Sequence, residues 1–376
     1  MSRRAPEIVA IRMPKWGLSM DEGVLVSWSK SEGQRFVEGD ELAEIETTKI
    51  TNVFEAPTSG LLRRLVVAKG ETVTVGGLLA VAAEADVDDA AIDAFISEFQ
   101  ASFVSGEADA ASGPALERET VAVGSLEINT VAAGAAGPSV VLVHGFSGDA
   151  DSWALNIVEL RQRARVIAID LPGHGGSTKD VGDGSVDTLA KAISGALDAL
   201  GIGSAHLVGH SLGGAVVLRL AQLHPERVIS LVLVAPAGLP GGRLNREFLD
   251  GMVDAQRARE IRPWLELLFH NPARASAEMV ENMARYKRID GVEEALGTIR
   301  NGLLAGVAAY PSAGTVALPP VLLLLGESDQ VVGLPDLALL PPDWKVVTLS
   351  GAGHMPMVEQ FAEFNRLVGD FVSEHS

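Results

Sequence analysis

The chemistry this sequence offers starts at one serine. Gly209-His210-Ser211-Leu212-Gly213 stands between an apolar run ending at Val208 and a helix-forming stretch from Gly214 to Leu223. A strand that turns sharply into a helix through a glycine-flanked serine lifts the hydroxyl clear of the backbone, and the glycines let strand and helix approach closely. A hydroxyl is a weak nucleophile, so it needs a base, and the base needs an acid to orient it. Behind an elbow of this kind the acid and then the base follow later in the chain. Gly326-Glu327-Ser328-Asp329 comes just after the apolar run from Val321 to Leu325, and Gly351-Ala352-Gly353-His354 just after the next one. Both fall at carboxyl ends of expected strands, where open parallel sheets gather their functional side chains. Asp329 is read as the orienting acid and His354 as the base, with Glu327 an alternative acid. His144-Gly145-Phe146 follows a further run, Val140 to Val143, and its loop should supply an oxyanion donor. The expected pair is the backbone N–H of Phe146 with that of Leu212, and His144 braces the loop rather than reacting. His206, His224, His270 and His375 show no partner pattern, and His210 is the variable position of the elbow.

A second candidate is Lys49, in Glu44-Ile45-Glu46-Thr47-Thr48-Lys49-Ile50-Thr51. Strand-like residues on both sides and short polar residues between them place it on an exposed hairpin turn, where a lysine by itself is ordinarily just solvated. The first 84 residues around it are short β-like runs punctuated by glycine. They repeat at a constant offset: Gly23 with Gly60, Gly33 with Gly70, Gly39 with Gly76, Leu42 with Leu79. Two equivalent halves related by a pseudo-two-fold imply a flattened antiparallel barrel or sandwich, with Lys49 between the halves.

Met13-Pro14-Lys15-Trp16-Gly17-Leu18-Ser19-Met20-Asp21-Glu22-Gly23, Trp28, Glu32-Gly33, Glu38-Gly39-Asp40, Glu46-Thr47-Thr48-Lys49 and Glu55-Ala56-Pro57 resemble the lipoyl domains of 2-oxoacid dehydrogenase complexes. The resemblance covers nearly all of residues 7–83 and implies that Lys49 is amidated with lipoic acid. Related biotin domains flank their lysine with methionines; the neighbours here, Thr48 and Ile50, favour lipoyl. The commoner Asp-Lys-Ala is Thr-Lys-Ile in this chain. A dithiolane on a long arm carries acyl groups as thioesters, and tethering raises their effective concentration to roughly millimolar.

Ile92, Phe95, Ile96, Phe99 and Phe103 recur at three- and four-residue spacing among acidic residues, which predicts an amphipathic helix from Asp86 to Val104. Its apolar stripe is read as packing on one of the two domains, with docking of a partner subunit as the alternative. Ser105 to Pro114 reads as a flexible linker, and ten to fifteen such residues span roughly 20 Å. Acyltransferase components of 2-oxoacid dehydrogenase complexes carry a small basic subunit-binding domain in this place. Residues 85–118 have Arg118 as their only basic residue, and no such domain is recognised.

From Thr120 to Val131 alternation suggests a hairpin; afterwards apolar strands alternate with helices, the pattern of a mostly parallel sheet covered on both faces. The elbow and its partners, with Asp170-Leu171-Pro172-Gly173-His174-Gly175-Gly176-Ser177, resemble the α/β-hydrolase superfamily. That superfamily spans esterases, lipases, peroxidases and thioesterases, so the resemblance implies fold and triad rather than substrate. The expected architecture is an all-β lipoyl/biotinyl barrel over 1–84, a helix and linker over 85–118, and an α/β-hydrolase domain over 119–376. A helical cap is expected at about 237–313. Arg243, Arg246, Arg257, Arg259 and Arg262 lie in it as candidates for coenzyme A phosphates. The insertion holds as many acidic as basic residues, so a solvated mixed face is the preferred reading.

A formal charge of −19 over 376 residues argues against a nucleic-acid partner. The absence of cysteine excludes disulfides, thiolate metal sites and a cysteine nucleophile, and no metal site is read from the sequence. No apolar segment follows the two arginines near the start, and the uncharged stretch from Leu303 to Gly326 is broken by Pro311, Pro319 and Pro320. A cytoplasmic protein with no membrane partner is expected.

A lipoyl domain fused to an α/β-hydrolase resembles the acyltransferase component of some bacterial acetoin dehydrogenase complexes. The His-x-x-x-Asp-Gly signature of the ordinary acyltransferase catalytic domain is absent. The resemblance implies a dihydrolipoamide acetyltransferase that takes acetyl from S-acetyl-dihydrolipoyl-Lys49 and passes it to coenzyme A through acyl-Ser211. Its partners would be a thiamine-diphosphate-dependent dehydrogenase component and dihydrolipoamide dehydrogenase. The alternatives are a lipoyl-tethered serine hydrolase or thioesterase releasing free acid, and a lipoyl carrier whose second domain is only a scaffold.

Overall fold

A computed structural model describes residues 8–14, 22–37, 39–46, 51–56, 58–110, 116–134, 137–306 and 318–376. The chain divides into two units, Met1–Ala115 and Leu116–Ser376.

In the first unit the glycine-punctuated runs become eight strands: β1 (Ile8–Arg12), β2 (Glu22–Trp28), β3 (Arg35–Phe36), β4 (Glu41–Glu46), β5 (Thr51–Glu55), β6 (Gly60–Leu65), β7 (Thr72–Thr74) and β8 (Leu78–Ala83). They form two antiparallel sheets ordered β1-β8-β6-β3 and β5-β4-β2-β7. Exchanging β1 with β5, β2 with β6, β3 with β7 and β4 with β8 turns one order into the other, so the sequence repeat is a structural two-fold. Hydrogen bonds repeat with it. Gly33 N–H reaches Leu62 O and Gly70 N–H reaches Leu25 O, each at 2.7 Å. Gly33 and Gly70 have φ of +84° and +87°, a left-handed conformation that costs any residue with a Cβ. Leu25, Leu62, Leu42 and Leu79 are fully buried between the sheets. Strands β4 and β5 pair as far as Glu46 and Thr51; Lys49 lies outside the described residues.

The halves differ on their outer faces. Val81 and Ala83 of β8 correspond to Glu44 and Glu46 of β4, and the apolar pair lies with Leu78, Val87 and Ile92 in a buried cluster. Helix Asp89–Ala110 supplies Ile92, Phe95, Ile96 and Phe99 to that cluster, so its apolar stripe packs on its own unit. The helix runs to Ala110, beyond the expected end at Val104, so part of the stretch read as linker is helical. Glu107, Ala108 and Ala110 are helix formers and carry it past Gly106.

The second unit is built on β9 (Glu117–Val123), β10 (Leu126–Ala133), β11 (Ser139–Val143), β12 (Arg165–Ile169), β13 (Ala205–His210), β14 (Val228–Val234), β15 (Val321–Gly326) and β16 (Lys345–Leu349). Their order is β16-β15-β14-β13-β11-β12-β10-β9, antiparallel only where β10 meets β9 and β12. Strands β11, β13, β14 and β15 are buried along nearly their whole length, which is why they read as unbroken Val/Ile/Leu runs. After β11 the chain steps outward to β12, then crosses back to lay β13 on the other side of β11. The carboxyl ends of β11 and β13 therefore flank a reversal of strand order, the place where open parallel sheets open a crevice. Between β14 and β15 helices Arg246–Asp254, Ala258–Glu266, Ala277–Tyr286 and Val292–Gly306 interrupt the sheet pattern.

Gly33→Ala and Gly70→Ala should each destabilise the first unit by about 1 kcal/mol. Thermal unfolding of the full chain followed on that unit checks this; equal shifts are expected, and a loss at only one position would contradict the two-fold equivalence.

Candidate active site

Ser211 follows β13 and precedes helix Leu212–Leu223, with φ +53° and ψ −115°. This backbone is strained for a residue with a side chain, by about 1–3 kcal/mol, and its neighbours hold it there. Ser211 N–H donates to Val234 O at 2.9 Å, and Ser211 O accepts from Ala215 and Ala237 N–H at 3.1 and 3.0 Å. A Cβ on Gly209 would collide with the Gly213 carbonyl, and one on Gly213 with the carbonyls of Val143 and His144. The elbow glycines are thus required by backbone crowding between β13, its helix and the end of β11.

The loop after β11 lies against the serine: a Cβ on Gly145 would sit 3.1 Å from Ser211 Cβ and 2.7 Å from His210 Nδ1. Phe146 is the next residue, followed by Ser147 at φ +62°. Leu212 opens the helix, so its N–H has no partner within that helix.

After β15 and β16, His354 Nδ1 and Asp329 Oδ2 meet at 2.8 Å with both side chains only 2% exposed. Asp329 Oδ1 also accepts from Val331 and Val332 N–H at 2.8 and 3.0 Å. Burial pushes the Asp329 carboxyl up, but the His354 charge, its hydrogen bond and the two backbone N–H groups outweigh that and hold it below its ordinary value. Glu327, the alternative acid, is exposed and accepts from Ser350 Oγ at 2.8 Å instead.

His210 does more than fill a variable position. Its Nε2–H donates to the His354 carbonyl at 2.8 Å, and its ring lies 4.7 Å from the His354 ring. Burial first, then the neighbouring His354, drops its pKa to about 3, so it is neutral and can donate. His144 is buried with both ring nitrogens engaged: Nδ1–H donates to Gly145 O at 2.7 Å and Nε2 accepts from Leu171 N–H at 3.0 Å. His174 repeats this one loop away, giving Nδ1–H to Pro172 O and taking Ser147 N–H on Nε2 at 3.1 Å. Burial holds both rings below the usual histidine range, that of His174 far below. Asp170 gathers Ala150 N–H, Gly176 N–H and Asn129 Nδ2 at 2.6–2.8 Å and fixes the base of the same loop. Sequence reading missed His174, Asp170 and Asn129 in this role. The string Asp170 to Ser177 carried a signal, but Asn129 joins it only across the sheet.

The remaining histidines have partners of their own: His206 with Ser230 and Ser376, His224 with Glu226, His270 with Ser328, His375 with Phe371 O. In the cap, Arg246, Arg257, Arg259 and Arg262 stand 3.8–4.0 Å from Asp250, Glu260 and Glu266 of their own helices. They form a solvated mixed face. Among the described residues no group of three acidic or histidine side chains could hold a metal ion, and no helix is long and apolar enough to cross a membrane.

A sequence profile described as the alpha/beta hydrolase fold matches residues 138–361, and one described as biotin-requiring enzyme matches residues 9–81. The chain is 41% identical over 371 residues to the dihydrolipoyllysine-residue acetyltransferase component of the acetoin cleaving system of Pseudomonas putida, covering 98% of this chain and all of that protein. It is 37% identical over 368 residues to the component of the same name from Cupriavidus necator, covering 97% of each. Among solved structures, the 2-hydroxy-6-oxo-6-phenylhexa-2,4-dienoate hydrolase of a Rhodococcus species superposes with TM-score 0.61 at 25% identity, over 68% of this chain and 98% of that one.

The Asp329 carboxyl also sets a pH dependence. Its folded pKa is depressed, so it stabilises the native state above the unfolded value of about 4. That contribution fades as pH falls through the lower folded value. Urea unfolding of the parent and Asp329→Asn at pH 6 and pH 3 should show a stability gap that narrows at pH 3. A gap that widens there would contradict the assignment.

Proposed function

The chain belongs to the family of dihydrolipoyllysine-residue acetyltransferase components of acetoin cleaving systems, and from that premise we propose that Lys49 bears its lipoyl arm and Ser211, Asp329 and His354 carry its transfer chemistry. It is an acyltransferase joining a lipoyl domain to an α/β-hydrolase domain, with lipoate on a lysine and coenzyme A as acceptor. The strands on either side of Lys49 are paired up to Glu46 and Thr51, as the connection of a lysine-presenting hairpin requires. Lipoate supplies the thiol on which acetyl is presented as a thioester.

The observation that carries this reading is the buried His354–Asp329 pair, 2.8 Å apart, linked through His210 to the strained serine. His354 takes the Ser211 hydroxyl proton on Nε2 as Oγ attacks the thioester carbonyl. Asp329 holds Nδ1–H and stabilises the imidazolium that forms. The N–H groups of Phe146 and Leu212 receive the oxyanion. As the carbonyl re-forms, the C–S bond breaks and His354 gives its proton to the departing sulfur, leaving acetyl on Ser211. For the second half His354 removes the proton of the coenzyme A thiol, and sulfur displaces Ser211 Oγ, which recovers the proton. As one component of such a system, the protein works with other components. We assign these as a thiamine-diphosphate-dependent dehydrogenase that loads the arm and dihydrolipoamide dehydrogenase that reoxidises it.

With acetylated dihydrolipoyl protein as donor, acetyl-CoA formation should fall at least roughly a thousand-fold in Ser211→Ala. Free acetate released equally fast with and without coenzyme A would point to a hydrolase instead, and an unaffected Ser211→Ala would remove the serine from the route. For the arm, intact mass of protein from lipoate-supplied cells should show one lipoyl group that disappears in Lys49→Ala. An adduct that survives the substitution contradicts the assignment.

A further inference from the structure

The base His354 is held at its backbone as well as its ring. Its carbonyl takes the His210 Nε2–H, while its own N–H donates to Leu268 O at 2.8 Å. Leu268 belongs to the cap, two residues past helix Ala258–Glu266. The contact is a close one: a Cβ on Gly353 would lie 2.6 Å from His270 N and 2.7 Å from Phe269 C. Phe269 is itself fully buried in the core of the unit, so the segment is anchored rather than draped.

A buried carboxylate joins the two pieces. Glu359 is 6% exposed; its Oε1 accepts His270 N–H at 2.7 Å and its Oε2 accepts Gly353 N–H at 2.6 Å. A carboxylate is held out of water only where its oxygens find donors, and here one donor comes from the cap and the other from the residue before the base. A third link runs from His270 Nδ1 to Ser328 Oγ at 2.9 Å, beside the acid Asp329. Ser328 N–H in turn meets Ala352 O at 2.9 Å, closing the acid loop on the base loop.

We infer that Leu268, Phe269 and His270 form a strut through which the cap sets the position of the acid–base pair, with Glu359 as the positioning residue that locks the strut to His354. The inference rests on Ser211, Asp329 and His354 being the transfer machinery. Because the strut belongs to the cap, the backbone of the base is placed by cap residues as well as by β16. His354 faces Asp329 and His210 on one side and has Glu359 and His270 behind its loop.

Glu359→Gln keeps the volume but sets an amide N–H₂ against one of two N–H donors, releasing one end of the lock. In the full lipoylated chain it should lower kcat for acetyl-CoA formation about tenfold, as a small misplacement of a base does. KM should stay within about twofold. A merely structural role would lower the melting temperature and leave kcat alone; that result overturns the inference. Ser328→Ala removes the exposed third link and should give a smaller loss of kcat in the same direction. Should Glu359→Gln fail to fold, parental kcat in Ser328→Ala overturns the strut on its own. Ser211→Ala run alongside separates the two readings: full activity there sinks both, whereas an inactive Ser211→Ala beside a parental Glu359→Gln sinks only the strut.

Discussion

Burying the Asp329 carboxylate beside His354 is the constraint from which the hydrolase unit's architecture follows. Removing a carboxylate from water costs several kcal/mol unless charge and donors replace the lost hydration. The donors are the N–H groups of Val331 and Val332, in the loop after β15, and the facing partner is the His354 ring. Only a sheet that brings the ends of β15 and β16 together can supply both. The register of the two strands, with Gly326 opposite Leu349, does so. Gly326 must also be glycine, because a Cβ there would run into the Gly353 carbonyl.

The same economy of backbone contact recurs at the serine. Ser211 is held at positive φ by its own hydrogen bond to the Val234 carbonyl and by those it accepts from Ala215 and Ala237, and the flanking glycines are fixed by carbonyls at the end of β11 and of the elbow itself. Strain at Ser211, the buried contact of Asp329 with His354 and the neutral histidines under the loop after β11 are each unfavourable in isolation. They persist because the surrounding sheet over-determines them. The carrier unit depends on repetition instead: the same glycine turn and the same buried leucines, used twice, build a small barrel from short strands.

Much of this was legible in the amino-acid order, and the physical reason is locality. Gly209 to Gly213, the duplicated Gly33 and Gly70, and the apolar runs that precede Asp329 and His354 are short-range patterns dictated by turn geometry and by strands buried on both faces. What stayed hidden joins residues far apart. The His210 hydrogen bond to His354, the Asn129 contact with Asp170 and the Glu359 lock on His270 are bonds between buried polar groups from different elements. No spacing rule announces them. The helix end was misplaced for a milder reason, since Ala and Glu after Phe103 suit a helix as well as a linker.

The claim that joins the two units is that acetyl passes through Ser211. Rapid mixing of the acetyl-dihydrolipoyl protein in the absence of coenzyme A, followed by acid quench and peptide mass analysis, tests it most directly. One acetyl group should accumulate on the peptide containing Ser211 and vanish when coenzyme A is added, with acetyl-CoA appearing at the same rate. Acetyl-CoA formed while that peptide never carries acetyl would contradict a serine intermediate.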